Sequence, residues 1–248
     1  LAVKDKLLKS YYNNLLTPSK LAKDIRLNLL SNNNWHPVDK YTALLEVSFQ
    51  DMQNYITEFF GALYIKTLVQ GNVSNKSVNK TVNKFIETLN CKELKLEDQP
   101  KYEVVRVNKG EQCCRIKSFG KNNPNSIITN YYQSGLFTIE NSTIVDIILM
   151  IIEEPLFDIL RTKEQLGYHV ACSVRDTFGV LGYTITVNAQ ATKSTTQHVN
   201  DRIESFLKHT QTILKDLDEE EYNKVKNNLI KMKECADVHL KEEVERNW

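Results

Sequence analysis

The chain has 248 residues, 41% of them apolar and 25% charged, with 32 basic against 31 acidic side chains and a formal net charge of +1. Such a length fits one large domain or two smaller ones, and the composition is that of a soluble globular protein. The even charge balance gives no electrostatic case for nucleic acid or an anionic membrane, and no apolar run approaches the roughly 20 residues of a membrane-spanning helix.

The first third reads as helical. KDKLLKSYYNNLL (4–16) and PSKLAKDIRLNLL (18–30) carry apolar residues at three- and four-residue spacing, and Pro18 sits where a helix starts. In SFQDMQNYITEFFG (48–61), Ser48 and Asp51 are placed as a capping box and Gly61 as a stop. ALYIKTLVQGN (62–72) predicts a strand ending in a Gly-Asn turn. A helix follows through Val78, Val82, Phe85, Ile86 and Leu89. The polar stretch CKELKLEDQPK (91–101), with Pro100, marks a domain boundary near residues 97 and 98.

Beyond it the pattern changes. YEVVRVN (102–108), QCCRIKSF (112–119) and SIITNYYQSGLF (126–137) predict three strands, separated by KGE and GKNNPN turns. A long helix over about 140–153 is expected to break at Pro155 and resume through LFDILRTKEQ. YHVACSVR (168–175) and VLGYTITVNAQ (180–190) alternate with period two. This alternation puts Tyr168, Val170, Cys172 and Val174 on one face, and Tyr183, Ile185, Val187 and Ala189 on one face of the second strand. The DTFG linker predicts an antiparallel hairpin. Two helices follow, the first with a stripe of Val199, Ile203, Phe206, Leu207, Ile213, Leu214 and Leu217, the second capped by Asp218 and Glu221. Strands followed by long helices indicate an α+β fold with an antiparallel-rich sheet packed against helices.

Five cysteines without a CxxC spacing point to a reduced, intracellular chain. Four N-x-S/T sequons, at Asn72, Asn75, Asn79 and Asn141, argue the other way, but three of them crowd one Asn/Lys-rich stretch where chance produces them. The absence of an initial methionine and an end in a helical pattern point to part of a longer polypeptide.

A zinc hydrolase needs converging ligands, and neither H-E-x-x-H nor H-x-x-E-H occurs. No two of the five histidines lie four apart. HLKEE places His239, Glu242 and Glu243 at the inverse spacing, with glutamate in place of the second histidine. It reads as surface charge, or as the ligand set of a distinct metalloenzyme. No G-x-S-x-G, Cys/His pair or glycine-rich phosphate loop is present.

LRTKEQLGYHV (160–170) is the remaining candidate. Arg161 can simply complement a helix C-terminus, and Tyr168 can simply open a strand. The same two side chains can also serve a substrate. A neutral tyrosine hydroxyl can donate to an oxyanion forming on a scissile carbonyl, an arginine can hold peptide carbonyls or a carboxylate, and Gly167 lets the chain turn closely. Neither group activates water.

EEPLFDILRTKEQLGYHV resembles the signature in the C-terminal half of the pitrilysin family of inverzincin metallopeptidases, in the branch of insulin-degrading enzyme and nardilysin. TLVQGNVS, YYQSG, GVLGYTITVNAQATK and KMKECADVHLKEEVERNW extend the resemblance over essentially the whole chain, on the nardilysin-like side of that branch. The resemblance implies four similar α+β domains closing around a peptide. Residues 1–97 would be the later part of the third domain and 98–248 the first part of the fourth. It implies a zinc metalloendopeptidase whose zinc is bound by an N-terminal half of the same polypeptide and not by this chain. By the same resemblance Tyr168 is catalytic and Arg161 binds substrate. Peptides cut at basic pairs and a cytoplasmic location would follow, with this chain inactive alone. A non-catalytic peptide- or protein-binding scaffold of the same fold is the alternative.

Overall fold

The computed structural model of the chain describes residues 2–117, 119–120 and 123–248. In chain order the elements are helices α1 (Ala2–Leu16), α2 (Pro18–Leu30), α3 (Pro37–Glu46) and α4 (Phe49–Phe59), strand β1 (Ala62–Leu63), α5 (Asn75–Leu89) and β2 (Lys92–Glu93). Then come β3 (Asn125–Leu136), α6 (Ile139–Phe157), a π-helix over Asp158–Lys163, β4 (Gly167–Thr177), β5 (Val180–Gln190), α7 (Thr196–Asp216), α8 (Glu219–Glu234) and α9 (Leu240–Asn247). They form two units that are discontinuous in sequence: Leu1–Leu45 with Tyr102–Lys233, and Glu46–Lys101 with Glu234–Trp248.

The first unit is built on an antiparallel sheet of order β3-β5-β4. Alternation divides its faces. Ile128, Val170, Ile185, Val187 and Ala189 point into a core completed by Leu149, Ile152 and Leu156 of α6 and by Val199, Ile203 and Phe206 of α7. The opposite face is polar: the Thr129 and Thr186 hydroxyls share a hydrogen bond of 3.2 Å, and Arg175 Nε donates to Thr184 Oγ1 at 3.1 Å. The predicted hairpin forms, turning through Phe178 and Gly179, both with positive φ (48° and 84°), as a two-residue turn between twisted strands requires. Asp176 Oδ1 accepts from the Gly179 N–H at 2.9 Å and holds that turn.

The face of Tyr168 departs from the sequence reading. Gly167 pairs with Ala189 and His169 with Asn188, so Tyr168 is an extra residue in a β-bulge. The bulge removes it from the Val170 face and brings its hydroxyl to the side chain of Asn188 instead. Gly167 makes the close approach possible: a Cβ there would lie 2.2 Å from the Asn188 carbonyl oxygen.

Pro155 does not break its helix. α6 runs through it to Phe157, and the chain then widens, with Glu164 N–H bonding the Ile159 carbonyl at 2.9 Å and Leu166 N–H the Leu160 carbonyl at 3.0 Å. Leu156 and Leu160, 1% and 0% exposed, keep this segment seated on the core across the irregularity.

Two predicted strands also fail to form as ladders. Val104 makes only an isolated bridge to Ser31, and the described part of QCCRIKSF carries no strand. For the first of them the reason lies in Gln133 of edge strand β3. Its side-chain amide accepts from Val107 N–H and donates to the Val105 carbonyl, both at 3.0 Å, taking groups a backbone ladder would use. Ser118 of that run, and Lys121 and Asn122 of the GKNNPN turn, lie outside the described residues.

In the second unit, ALYIKTLVQGN contributes only Ala62–Leu63, paired in parallel with Lys92–Glu93. The Ser48–Asp51 capping box is present: Ser48 N–H donates to Asp51 Oδ2 at 2.8 Å and Asp51 N–H to Ser48 Oγ at 3.1 Å. Ser74 caps α5 through the Ser77 N–H, and Asn90 ends it in the left-handed region.

Replacing Gly167 by alanine is expected to cost at least ~2 kcal/mol through backbone collision, read as a lower urea midpoint. An unchanged midpoint would mean that β5 yields freely at this position. Stability should also fall at alkaline pH. Burial pushes the Cys172 thiol up from 9.0 to about 11, and the half-buried Tyr132 phenol is raised as well by desolvation and its bond to Glu204. The folded state therefore holds the thiol proton more tightly than the unfolded chain does. The stabilisation is complete below pH 9 and lost as pH rises through about 11, so Cys172→Ala should flatten that part of the unfolding free energy against pH.

Candidate functional site

Arg161 and Tyr168 stand at one junction, and the irregularities on either side of it place them. Arg161 lies in the last turn of the π-helix, exposed beside the buried Leu160. Its guanidinium carbon sits 4.5 Å from the Phe157 ring centroid, a cation–π contact one turn back that lifts the charge away from the core. The turn to the strand is fixed at three points. Gln165 adopts a left-handed φ of 53°, Leu166 is buried, and Glu164 receives a two-pronged contact from Arg202 of α7 at 2.8 and 2.6 Å. That carboxylate raises the pKa of the Arg202 guanidinium, by hydrogen bonding first and by charge second.

Tyr168 is 56% exposed. The Asn188 side-chain amide donates to its hydroxyl oxygen, which leaves the phenolic proton free to donate outward. No hydrogen bond joins Arg161 to Tyr168; they are exposed donors at the two ends of a braced turn. A phenol and a guanidinium so placed can bind carbonyl oxygens and stabilise negative charge on one. They cannot generate a nucleophile.

The HLKEE stretch does not form a ligand set. Glu242 Oε2 accepts from the backbone N–H groups of Val238 and His239 at 2.9 and 3.4 Å, closing the start of α9, and Glu243 Oε1 accepts from Gln70 Nε2 at 3.1 Å. His36 Nδ1 accepts from Val38 N–H, while His169 and His198 are exposed. Among the described residues no group of three or more His, Cys, Asp or Glu side chains could hold a metal ion. All five cysteines are free thiols, and no described helix is long and apolar enough to cross a membrane.

Two other features belong to packing. Tyr132 donates to Glu204 Oε1 at 2.5 Å, and Asn130 Nδ2 lies within 3.2 Å of Tyr132, Asn200 and Glu204, tying β3 to α7. A cleft of about 220 Å³ between α6 and α7, lined by Ile144, Ile148, Leu214 and Tyr222 among others, is almost wholly apolar and offers nothing to polarise a bond.

Asn188 and Glu164 hold the candidate pair in place, and sequence reasoning missed both. Asn188 lies 20 residues beyond Tyr168 and meets it only through strand pairing. Glu164 was visible inside the motif, but its partner Arg202 is 38 residues away.

Comparison with known proteins shows the family and the fold of the chain. The chain is 40% identical over 247 residues to human nardilysin, covering 99% of the chain and 22% of that protein. It is 29% identical over 206 residues to insulin-degrading enzyme of Drosophila melanogaster, covering 81% of the chain and 20% of that protein. The chain thus spans about a fifth of the length of the curated relatives it matches. In three dimensions it superposes on the crystal structure of pitrilysin with a TM-score of 0.72 at 14% identity, over 98% of the chain and 25% of that structure, so it has a pitrilysin-like α+β fold. Residues 46–229 match the family model described as the peptidase M16 inactive domain, and the chain belongs to that peptidase family.

Proposed function

We propose that this chain is the substrate-facing part of a zinc metalloendopeptidase that hydrolyses peptides. The observation that carries the reading is the bulge. It turns Tyr168 out of the core with its hydroxyl against Asn188, while Arg161 is exposed at the other end of a turn braced by Glu164 and Arg202. In this reading Tyr168 donates its phenolic proton to the oxygen of the scissile carbonyl as charge develops there, and Arg161 holds the peptide in place.

The HLKEE stretch does not fit zinc, because its carboxylates are already engaged in closing α9 and bonding Gln70, and no other group among the described residues could hold a metal ion. The zinc and the attack on the carbonyl are assigned to an N-terminal half of the same polypeptide. Residues 1–97 are read as the later part of a third pitrilysin-type domain and 98–248 as the first part of a fourth. A preference for basic pairs rests on the likeness to nardilysin. The free thiols and even charge balance support a cytoplasmic setting without nucleic acid.

The second reading, a peptide- or protein-binding scaffold without catalysis, is favoured by the description of the matching domain as inactive.

In the complete enzyme, Tyr168→Phe is expected to lower kcat by about 10²-fold with KM changed little, as for loss of one oxyanion donor. An unaltered kcat would remove Tyr168 from the mechanism. Arg161→Ala should act chiefly on KM; a pure kcat loss would reverse the two roles. After dialysis against trace zinc, the isolated chain should hold less than stoichiometric metal, and His239→Ala should change nothing. One tightly held zinc lost with His239 would move the metal into this chain.

A further inference from the structure

We infer that Asn188 is a positioning residue for Tyr168: its side-chain N–H holds the phenol oxygen so that the phenolic proton faces the substrate. The inference rests on the proposed role of Tyr168 and adds to it the group that decides which way that hydroxyl points.

The geometry has three parts. Asn188 is directly opposite His169 in the β4–β5 ladder, at the step where Tyr168 is the extra residue, so the bulge forms against this one position of the central strand. Its backbone is the surface on which the bulge is seated, because the bare Gly167 lies so close to the Asn188 carbonyl that a Cβ would stand 2.2 Å from the oxygen. Its side chain then reaches the hydroxyl of Tyr168, with Nδ2 as donor. Main chain and side chain of one residue therefore set both the height and the direction of the phenol.

The direction matters chemically. A phenol has one proton to give. While Asn188 Nδ2–H donates to the Tyr168 oxygen, that proton is uncommitted, and the incoming N–H polarises the hydroxyl toward giving it up. With the amide turned over, Oδ1 would take the proton and the tyrosine would offer a substrate only lone pairs, which repel a developing oxyanion. The arrangement has a cost visible in the structure: Asn188 Oδ1 is buried and has no hydrogen-bond partner. A buried acceptor left unpaired calls for an explanation. Keeping the phenolic proton free is one. Neighbouring polar side chains on this sheet face do not compete for it, since Thr186 is paired with Thr129 and Thr184 with Arg175.

The experiment compares Asn188→Asp, Asn188→Ala, Tyr168→Phe and the two double variants in the complete enzyme, with thermal unfolding as a check on folding. Asp keeps the shape of Asn but at neutral pH can only accept, so it captures the phenolic proton. Ala removes the hold without capturing anything. Asn188→Asp is expected to lower kcat at least tenfold and more than Asn188→Ala does, with KM changed less than threefold in both, and neither should add a loss to Tyr168→Phe. A merely structural role predicts the reverse order, since the nearly isosteric Asp disturbs packing less than Ala. If Tyr168→Phe loses kcat while Asn188→Asp stays within twofold of the parent, or falls less than Asn188→Ala, the inference about Asn188 is overturned and the role of Tyr168 stands. If Tyr168→Phe itself leaves kcat unchanged, both are overturned.

Discussion

Everything at the candidate site hangs on the burial of one face of the central strand. Ile185, Val187 and Ala189 of β5 are fully buried against α6 and α7, and each large apolar side chain contributes on the order of 1.5–3 kcal/mol by leaving water. Because strand side chains alternate, slipping β5 by one residue would send that set to the polar face and bring Thr184, Thr186 and Asn188 into the core. The register of β5 is therefore not negotiable. β3 and β4, which flank it, absorb any surplus residue in the sheet. At the start of β4 the surplus residue is Tyr168, and it lands on the polar face opposite a fixed Asn188.

The helix feeding β4 shows the same economy. The chain must bring Leu160 and Leu166 into the core at either end of a short turn, and both are buried. It does so by widening α6 into a π-helix just after Pro155 and closing with a left-handed Gln165. A widened turn and a bulge each accommodate a residue more than the regular element would. Between them they carry Arg161 and Tyr168 outward while the hydrophobic residues on either side stay in register. Such irregularities weaken the local hydrogen-bond ladder and persist where surrounding packing over-determines them, which is why they gather where side chains must be aimed. The Glu164–Arg202 pair supplies part of that packing by tying the turn to α7.

The second unit is of another kind. α4 and α5 have no buried residue, although their apolar side chains are spaced along amphipathic helices. Their ends are specified locally by Ser48, Asp51, Ser74 and Asn90, so the helices form from their own sequence without a core of the kind found under β5.

Much of this was legible in the residues themselves. Caps, proline at a helix start, the period-two alternation of β5 and the Phe178-Gly179 turn are local matters, decided within a few residues by backbone sterics and hydrogen bonding, and the structure reproduces them. Arg161 and Tyr168 stood out in the sequence as a motif. What sequence could not decide was the face on which Tyr168 lies, because period two predicts the core side and only the fixed register of a neighbouring strand forces the bulge. Nor could it find Asn188, which meets Tyr168 through a hydrogen bond across 20 residues, or Gln133, which displaces a strand ladder from 26 residues away. Local chemistry determined the elements and their ends. Tertiary packing decided how an odd residue is accommodated and so where the hydroxyl points, because buried apolar side chains cost more to expose than one ladder bond costs to lose.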